Sequence, residues 1–338
     1  SVATTNAPST DTPTLTRTRF IDKGFMESER SATFAHVRPG DFSVRRFESI
    51  TVGRHWSTNA HMPTRFFDGT TALVTGASSG IGREIAKLLA PRVKRLVLVA
   101  RREVRLRELS ETLVQHHAGL DVRVMASDLA QKSELDALVT RLRDEAIEVD
   151  LLVNNAGIGD MGVFDMADAA KLQRVIDLNV TSLTMLTYAL LPKMVERKRG
   201  GIMNISSAFG MAVLGGFAVY LATKHYVTGF SEALRADLKG TGVSVTQVCP
   251  GPVATEFEKG VGNPTDLWVP AMAEISAERC ARAAVAGFEK KRAMVVPGVA
   301  MKIVLLVNNC SPRFMRRVIA SLSGAMIRRL QLEKMSKK

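Results

Sequence analysis

Cysteine is scarce in this 338-residue chain: Cys249, Cys280 and Cys310 are odd in number and stand at no metal-ligand spacing. They indicate neither a disulfide framework nor a metal site, so a reducing compartment and ordinary burial are expected. Long apolar runs are lacking too. Without a stretch of about eighteen apolar residues, no membrane-spanning helix is expected. Aromatic residues make up 6% of the chain, which leaves little for base stacking, and no nucleic-acid-binding motif is present. Acidic residues are outnumbered, 33 against 46 basic ones, for a net charge of +13. Such a surplus suits nucleic acid, an anionic membrane surface or an anionic substrate. Its distribution narrows the choice, because residues 297–338 hold nine Lys or Arg against the single acid Glu333.

The chain is long enough to bury a full core, and the roughly 270 residues after the N-terminal stretch suit one large α/β domain. Residues 1–67 are rich in Ser, Thr and Arg, carry Pro8, Pro13, Pro39 and Pro63, and show no sustained apolar period. They are expected to be an extension, largely disordered or draped over the core. Organelle targeting by this stretch stays open, although its six acids make it less acid-poor than a transit peptide. A catalytic domain is expected over 68–297 and a basic tail over 298–338.

The most informative stretch is Tyr220-Leu221-Ala222-Thr223-Lys224, which opens a helical pattern reaching about Lys239. Residues four apart share a helical face, so Tyr220 and Lys224 present a phenol and an ammonium to one space. A free tyrosine, with a pKa near ~10, is a poor acid or base at neutral pH, and a nearby cation favours its phenolate. The pair therefore makes sense as an acid/base unit.

Upstream, the apolar strand Thr71–Val74 runs into Thr75-Gly76-Ala77-Ser78-Ser79-Gly80-Ile81-Gly82, and a helical pattern follows from Arg83 to Ala90. Strand, glycine-rich turn and helix bring backbone and helix N-terminus close to phosphate groups. The strand Arg95–Ala100 ends on Arg101 and Arg102. An acid there would take the adenosine ribose hydroxyls of NAD, whereas arginine suits the extra phosphate of NADP. Two solvated arginines starting a basic helix are the plainer alternative. Further strands are expected at Val122–Ala126, Asp150–Val153, Gly201–Ser206, Val243–Val248 and Ala293–Val296. Amphipathic helices are expected over 135–145 and 277–288, and a long helix over 168–197 with Asn179 inside it. Asparagine is a mediocre helix former, so its placement asks for a reason. Ser207 stands thirteen residues before Tyr220. Its hydroxyl is suited to donating to a carbonyl oxygen as charge develops. No G-x-S-x-G elbow surrounds it, which argues against a Ser-His-Asp hydrolase.

The glycine-rich turn, Asn154-Asn155-Ala156-Gly157, Asn179, Ser207, Tyr220 with Lys224, and Pro250-Gly251 follow in one order. In that order and spacing the chain resembles the short-chain dehydrogenase/reductase family from about Asp68 to Phe257. The resemblance implies an α/β fold: a Rossmann-like, doubly wound parallel sheet with helices on both faces, plus the N-terminal extension and a helical tail. It implies an oxidoreductase interconverting a carbonyl and an alcohol, more readily as a reductase. NADP(H) is the expected cofactor, ahead of NAD(H), with Thr75, Gly76, Ser78, Ser79, Gly80, Ile81 and Gly82 around it. Arg101 occupies the position the family uses for the extra phosphate, with Arg102 second. Asp128 and Leu129 match the adenine contact, and Asn155, Ala156 and Gly157 the cofactor side of their loop. Asn154 carries a scaffold role. Pro250, Gly251, Val253 and Thr255 fall on the nicotinamide side. Ser207 would polarise the carbonyl and Tyr220 would move the proton. Lys224 would lower the Tyr220 pKa and bind the ribose, and Asn179 would distort its helix and hold a relay water. No metal is expected.

Residues 256–275 match the family's substrate lid, where Trp268 either covers an apolar ligand or packs on the core. In the tail, Arg316-Arg317 and Arg328-Arg329 alternate with Val318, Ile319, Leu322, Met326, Ile327 and Leu330. That suits an amphipathic helix on a membrane surface, or one packed on its own domain or a second subunit. A cytoplasmic protein is expected, as a homodimer or homotetramer, with a small-molecule carbonyl or alcohol as substrate and no nucleic acid. An acyl, steroid or similar lipid-like substrate is favoured, and peripheral membrane contact through the tail stays open. The other function classes are an NADP(H)-sensing protein without catalysis and a membrane-associated scaffold.

Overall fold

A computed structural model describes residues 66–262, 265 and 274–337. Apart from Phe66 and Phe67, the expected N-terminal extension lies outside the described residues. So do Trp268 and much of the expected lid.

Short aliphatic runs become strands buried on both faces, as parallel sheets require. The strands are β1 (Thr71–Thr75), β2 (Arg95–Ala100), β3 (Asp121–Ala126), β4 (Leu151–Asn154), β5 (Gly200–Ile205) and β6 (Val243–Val248). The pair β7 (Val253–Ala254) and β8 (Ile275–Ser276) stands apart, and β9 (Met294–Val295) closes the main sheet. That sheet is seven-stranded, in the order β3-β2-β1-β4-β5-β6-β9, with every pairing parallel.

Parallel neighbours need crossovers, which the helices supply. They are α1 (Gly80–Leu89), α2 (Glu103–His116), α3 (Lys132–Asp144), α4 (Ala169–Ile176), α5 (Leu183–Glu196), α6 (Ala218–Asp237), α7 (Phe257–Val261) and α8 (Ala277–Glu289). Side chains alternate along each strand, so the sheet feeds two cores. Ala72 and Val74 of β1 join Ile85, Leu89, Leu106 and Phe288 on one side. Leu73 joins Leu135, Leu138, Leu186 and Met194 on the other. The expected Rossmann-like doubly wound sheet is present. Its order reverses between β1 and β4, which opens a crevice at the carboxyl ends of the strands.

The helix expected over 168–197 is interrupted. Asp177–Ser182 is π-helical between α4 and α5, and Asn179 lies within it, buried. Single π turns inside helices collect at functional positions. By length and composition alone Ala169–Glu196 could cross a membrane, but Val175, Leu178, Leu186 and Met194 pack it into the domain. The β7–β8 pairing joins the two ends of the segment expected to be the lid.

The tail forms α9 (Val299–Cys310) and α10 (Arg313–Ser336). One edge of α10 packs on its own domain. Ile327 is buried there, Gln331 Oε1 accepts from Val163 N at 3.1 Å, and Arg328 pairs with Asp165.

Candidate functional site

The turn after β1 is built by close approach. Gly76 has φ +66°, and a Cβ there would lie 2.7 Å from Asn155 Nδ2. A Cβ on Gly82 would lie 2.6 Å from Gly76 O, so only glycine lets α1 start this near the turn. Thr75 stitches the turn to the loop after β4: its Oγ1 donates to Val153 O and accepts from Asn155 N and Ala156 N, both at 2.9 Å. Asn155 Nδ2 donates to Thr75 O at 2.9 Å. Ser79 stands at the N-cap of α1 without capping it, and the first turn holds no acid. Its free amides and partial positive charge suit an anion. Ile81 packs on the core behind the turn.

A basic cluster stands beside this turn. Arg102 donates to Ser78 Oγ at 3.1 Å and Ser79 Oγ at 2.8 Å, and pairs with Glu256 at 2.6 Å. Arg105 meets the same carboxylate at 2.6 Å. These two arginines hold Glu256 well below the usual carboxylate range, to about 2. Arg101 is exposed nearby, so Arg102, the second-ranked position, is the one that touches the turn. Asp128 lies at the end of β3. Burial works against its charge, yet Arg174 and the Ala130 amide hold its pKa below the ordinary value. Leu129 is buried in the core. Neither Glu256, Arg105 nor Arg174 carries a local sequence signal, since their partners are distant in the chain.

Ser207, Tyr220, Lys224 and Asn179 gather at the ends of β4 and β5. A Cβ on Gly157 would stand 3.2 Å from Asn179 Oδ1 and 3.6 Å from Lys224 Nζ, so both side chains border this glycine. Asn179 is held firmly: Oδ1 accepts from Ile158 N at 3.0 Å, and Nδ2 donates to Ile158 O and Thr223 Oγ1. Lys224 Nζ donates to Ile205 O at 3.0 Å and lies 5.9 Å from the Tyr220 ring centre. Phe257 of α7 is 5.7 Å from the same ring.

The two serines are sorted by geometry. Ser206 Oγ is taken up by Lys224 O and Thr228 Oγ1. Ser207 faces Tyr220 closely enough to pull its pKa down, and its Oγ accepts from Phe209 N at 3.1 Å. Beneath them Asn154 Nδ2 donates to Thr187 Oγ1 and Asn204 Oδ1, and Asn204 Nδ2 donates to Ser231 Oγ. This buried chain ties β4 and β5 to α5 and α6, in keeping with the scaffold expected of Asn154. Sequence reasoning missed Thr187, Asn204 and Ser231.

Burial pushes the Tyr220 phenol up to about 12, with the Ser207 hydrogen bond pulling the other way. Burial also takes Lys224 down to about 8. In the protein alone, burial therefore opposes the phenolate that the Tyr220–Lys224 pairing favours. Beyond β6, Pro250 O accepts from Ala208 N at 2.7 Å, which joins the Ser207 loop to the one before β7. Gly251 faces Met301 of α9. Val253 is buried, and Thr255 covers Gly80, whose Cβ would lie 3.0 Å from its Cγ2.

These residues fit a dinucleotide. The glycine turn leaves room for backbone approach to phosphate, α1 offers uncapped amides, and Ser78, Ser79 and Arg102 offer donors beside it. Chemically, the Ser207–Tyr220 pair can bind an oxygen while Tyr220 exchanges a proton with it.

The chain is similar to several known proteins. The ketoacyl reductase HetN of Nostoc sp. is 33% identical over 257 residues, covering 74% of this chain and 88% of that protein. A very-long-chain 3-oxoacyl-CoA reductase of Rattus norvegicus is 36% identical over 197 residues, covering 56% and 62%. A short-chain dehydrogenase from Sphingobium yanoikuyae, solved in complex with NADPH, is 35% identical with a TM-score of 0.63, covering 70% of this chain and 92% of that one. The family model described as short chain dehydrogenase matches residues 70–265, more than half of the chain. The chain belongs to the short-chain dehydrogenase family and is an oxidoreductase acting on the CH–OH/C=O pair.

Proposed function

We propose that this enzyme reduces a lipophilic carbonyl, of acyl, steroid or similar kind, to an alcohol with NADPH. The observation that carries the reading is the convergence of Ser207, Tyr220, Lys224 and Asn179 beside a phosphate-type turn flanked by Arg102. Gly76, Gly80, Gly82 and the α1 amides would hold the pyrophosphate, and Ser78, Ser79 and Arg102, with Arg101 beside them, the 2′-phosphate. Asp128 and Leu129 would border the adenine, and Asn155, Ala156, Gly157, Pro250, Gly251, Val253 and Thr255 the nicotinamide half. When bound, the cofactor supplies hydride to the carbonyl carbon.

The chain's own residues manage the oxygen and the proton. Ser207 donates a hydrogen bond to the carbonyl oxygen as negative charge grows there. Tyr220 gives its phenolic proton to that oxygen. Lys224 would hold the ribose hydroxyls of the bound cofactor and favour the phenolate left behind, against the burial described above. Asn179 fixes the helix so that a water can return the proton. Support for NADP comes from the arginines at the β2 end and from the Sphingobium relative, whose structure holds NADPH. Support for an acyl-type substrate comes from the ketoacyl and 3-oxoacyl-CoA reductases among the relatives. A homodimer or homotetramer is part of the same proposal.

The test is NADPH consumption across ketoacyl thioesters, ketosteroids and retinoid-type aldehydes, with Tyr220→Phe as the control. That variant removes the proton donor with little change of shape, so it should bind NADPH normally and lose turnover by roughly 10²–10⁴-fold. Near-normal turnover would reject the role given to Tyr220.

A further inference from the structure

Helices α9 and α10 each bury a narrow edge and turn an apolar face outward. In α9 Leu305 is the buried residue, while Val299, Ile303, Leu306 and Val307 are between 57% and 66% exposed. In α10 Phe314, Val318, Leu322 and Met326 are 67%, 54%, 66% and 48% exposed. Their four-residue spacing puts them on one face, away from buried Ile327. A helix packed on a domain and facing water shows the reverse, with polar residues outside. An exposed apolar face of this extent marks an interaction surface.

Charge identifies the occupant. The apolar face is set among Lys302, Arg313, Arg316, Arg317 and Arg329, while Arg328 turns inward to Asp165, and the whole stretch 297–338 has one acid against nine basic residues. A second copy docked about a two-fold axis would set this surplus against itself. Residues 1–65 are also net basic, nine against six, and supply no complement. A surface that is apolar within and anionic outside satisfies both features. We propose that the outward face of α9 and α10 docks on the surface of an anionic lipid bilayer.

The helices lie along that surface rather than through it. α9 has 12 residues, about 18 Å of helix against a hydrocarbon core of about 30 Å. The basic pairs of α10 prevent it from spanning, but suit lipid headgroups. The inner edges of both helices hold the loop that leads into α6 and Tyr220. Asn308 Nδ2 donates to Met211 O at 2.9 Å, Gly215 N donates to Ser323 Oγ at 2.9 Å, and Ile327 seats on Gly216. Docking would therefore hold the Tyr220 side of the enzyme roughly one helix diameter, ~10 Å, from the bilayer.

The test is co-sedimentation of the full chain with vesicles of phosphatidylcholine alone and of phosphatidylcholine mixed with phosphatidylglycerol. Binding is expected to the mixed vesicles only, to weaken with salt, and to fall about fivefold for each of Arg313→Gln and Arg317→Gln. Val318→Asp with Leu322→Asp should abolish it while the melting temperature and NADPH oxidation stay at the wild-type level. Undiminished binding by that double variant would overturn the proposal, because another segment would then be the ligand. No binding by the wild type, together with an oligomer that the double variant dissociates, would also overturn it and assign the face to a second copy.

Discussion

Arg102 and Glu256, far apart in the chain, are joined at 2.6 Å, and Arg102 also touches Ser78 and Ser79. A carboxylate thus engages the guanidinium proposed to meet the cofactor's 2′-phosphate, and Arg105 shares it. Two anionic groups then compete for the same donors. Glu256→Gln is expected to tighten NADPH several-fold and leave NADH unchanged. Arg102→Ala is expected to weaken NADPH roughly tenfold to a hundredfold, the range for a charge-assisted hydrogen bond, and NADH far less. Fluorescence titration with both nucleotides checks each expectation. Weaker NADPH binding by Glu256→Gln would show that the carboxylate supports the cofactor instead.

The seat of α10 depends on Gly216, whose φ is +82° and whose Cβ would lie 2.4 Å from Ile327 Cδ1. Alanine meets both strain and collision there, so Gly216→Ala should cost about 1 kcal/mol or more in urea unfolding. The loop it distorts leads to Tyr220. kcat/KM should therefore fall while NADPH affinity holds, and Ile327→Val, which deletes the colliding methyl, should restore part of the loss.

The parallel sheet could be read in the sequence because strands buried on both faces keep their apolar runs unbroken, as Leu96–Ala100 and Leu151–Val153 do. The Tyr220–Lys224 spacing was equally legible, since helical period alone aligns them. What stayed hidden depends on the tertiary fold. The Asn154–Asn204 bond joins residues 50 apart, and Arg174 reaches Asp128 from 46 residues away. The last strand, expected over Ala293–Val296, was legible, although it pairs through only Met294 and Val295. Between Arg101 and Arg102 the choice turned on where α2 starts. With Glu103 as its first residue, Arg102 becomes the N-cap and its side chain reaches back to the turn. The burial that raises the Tyr220 pKa was likewise invisible, because sequence gives proximity but not solvation.

Lys224 should leave a mark on stability as well as on catalysis. Burial lowers its pKa from 10.5 to about 8. Between those values the unfolded chain binds a proton that the folded chain does not, so unfolding free energy rises with pH across that window. Denaturant unfolding of wild type and Lys224→Met, compared from below pH 8 to above pH 10, should show the rise in wild type and a smaller slope in the variant. Equal slopes would mean that the ammonium is far better solvated than its buried setting implies.

Ser206 and Ser207 are neighbours in the chain with different tasks in the structure, and alanine at each should separate them. Ser206 Oγ bonds to Lys224 O at 3.1 Å and to Thr228 Oγ1 at 2.9 Å, both within the scaffold of α6. Ser206→Ala is expected to lose about 1 kcal/mol of stability, the usual size for such a bond, with kcat changed only a few-fold. Ser207 faces the Tyr220 phenol and pulls its pKa down. Ser207→Ala also gives up the bond from Phe209 N, so it should cost stability no more than Ser206→Ala does while losing kcat by roughly 10²–10³-fold, as when one preorganised donor to a developing oxyanion is removed. Steady-state kinetics and thermal melts on the two variants decide the assignment. A reversed pattern, with Ser206→Ala the inactive one, would move the carbonyl contact to the other hydroxyl.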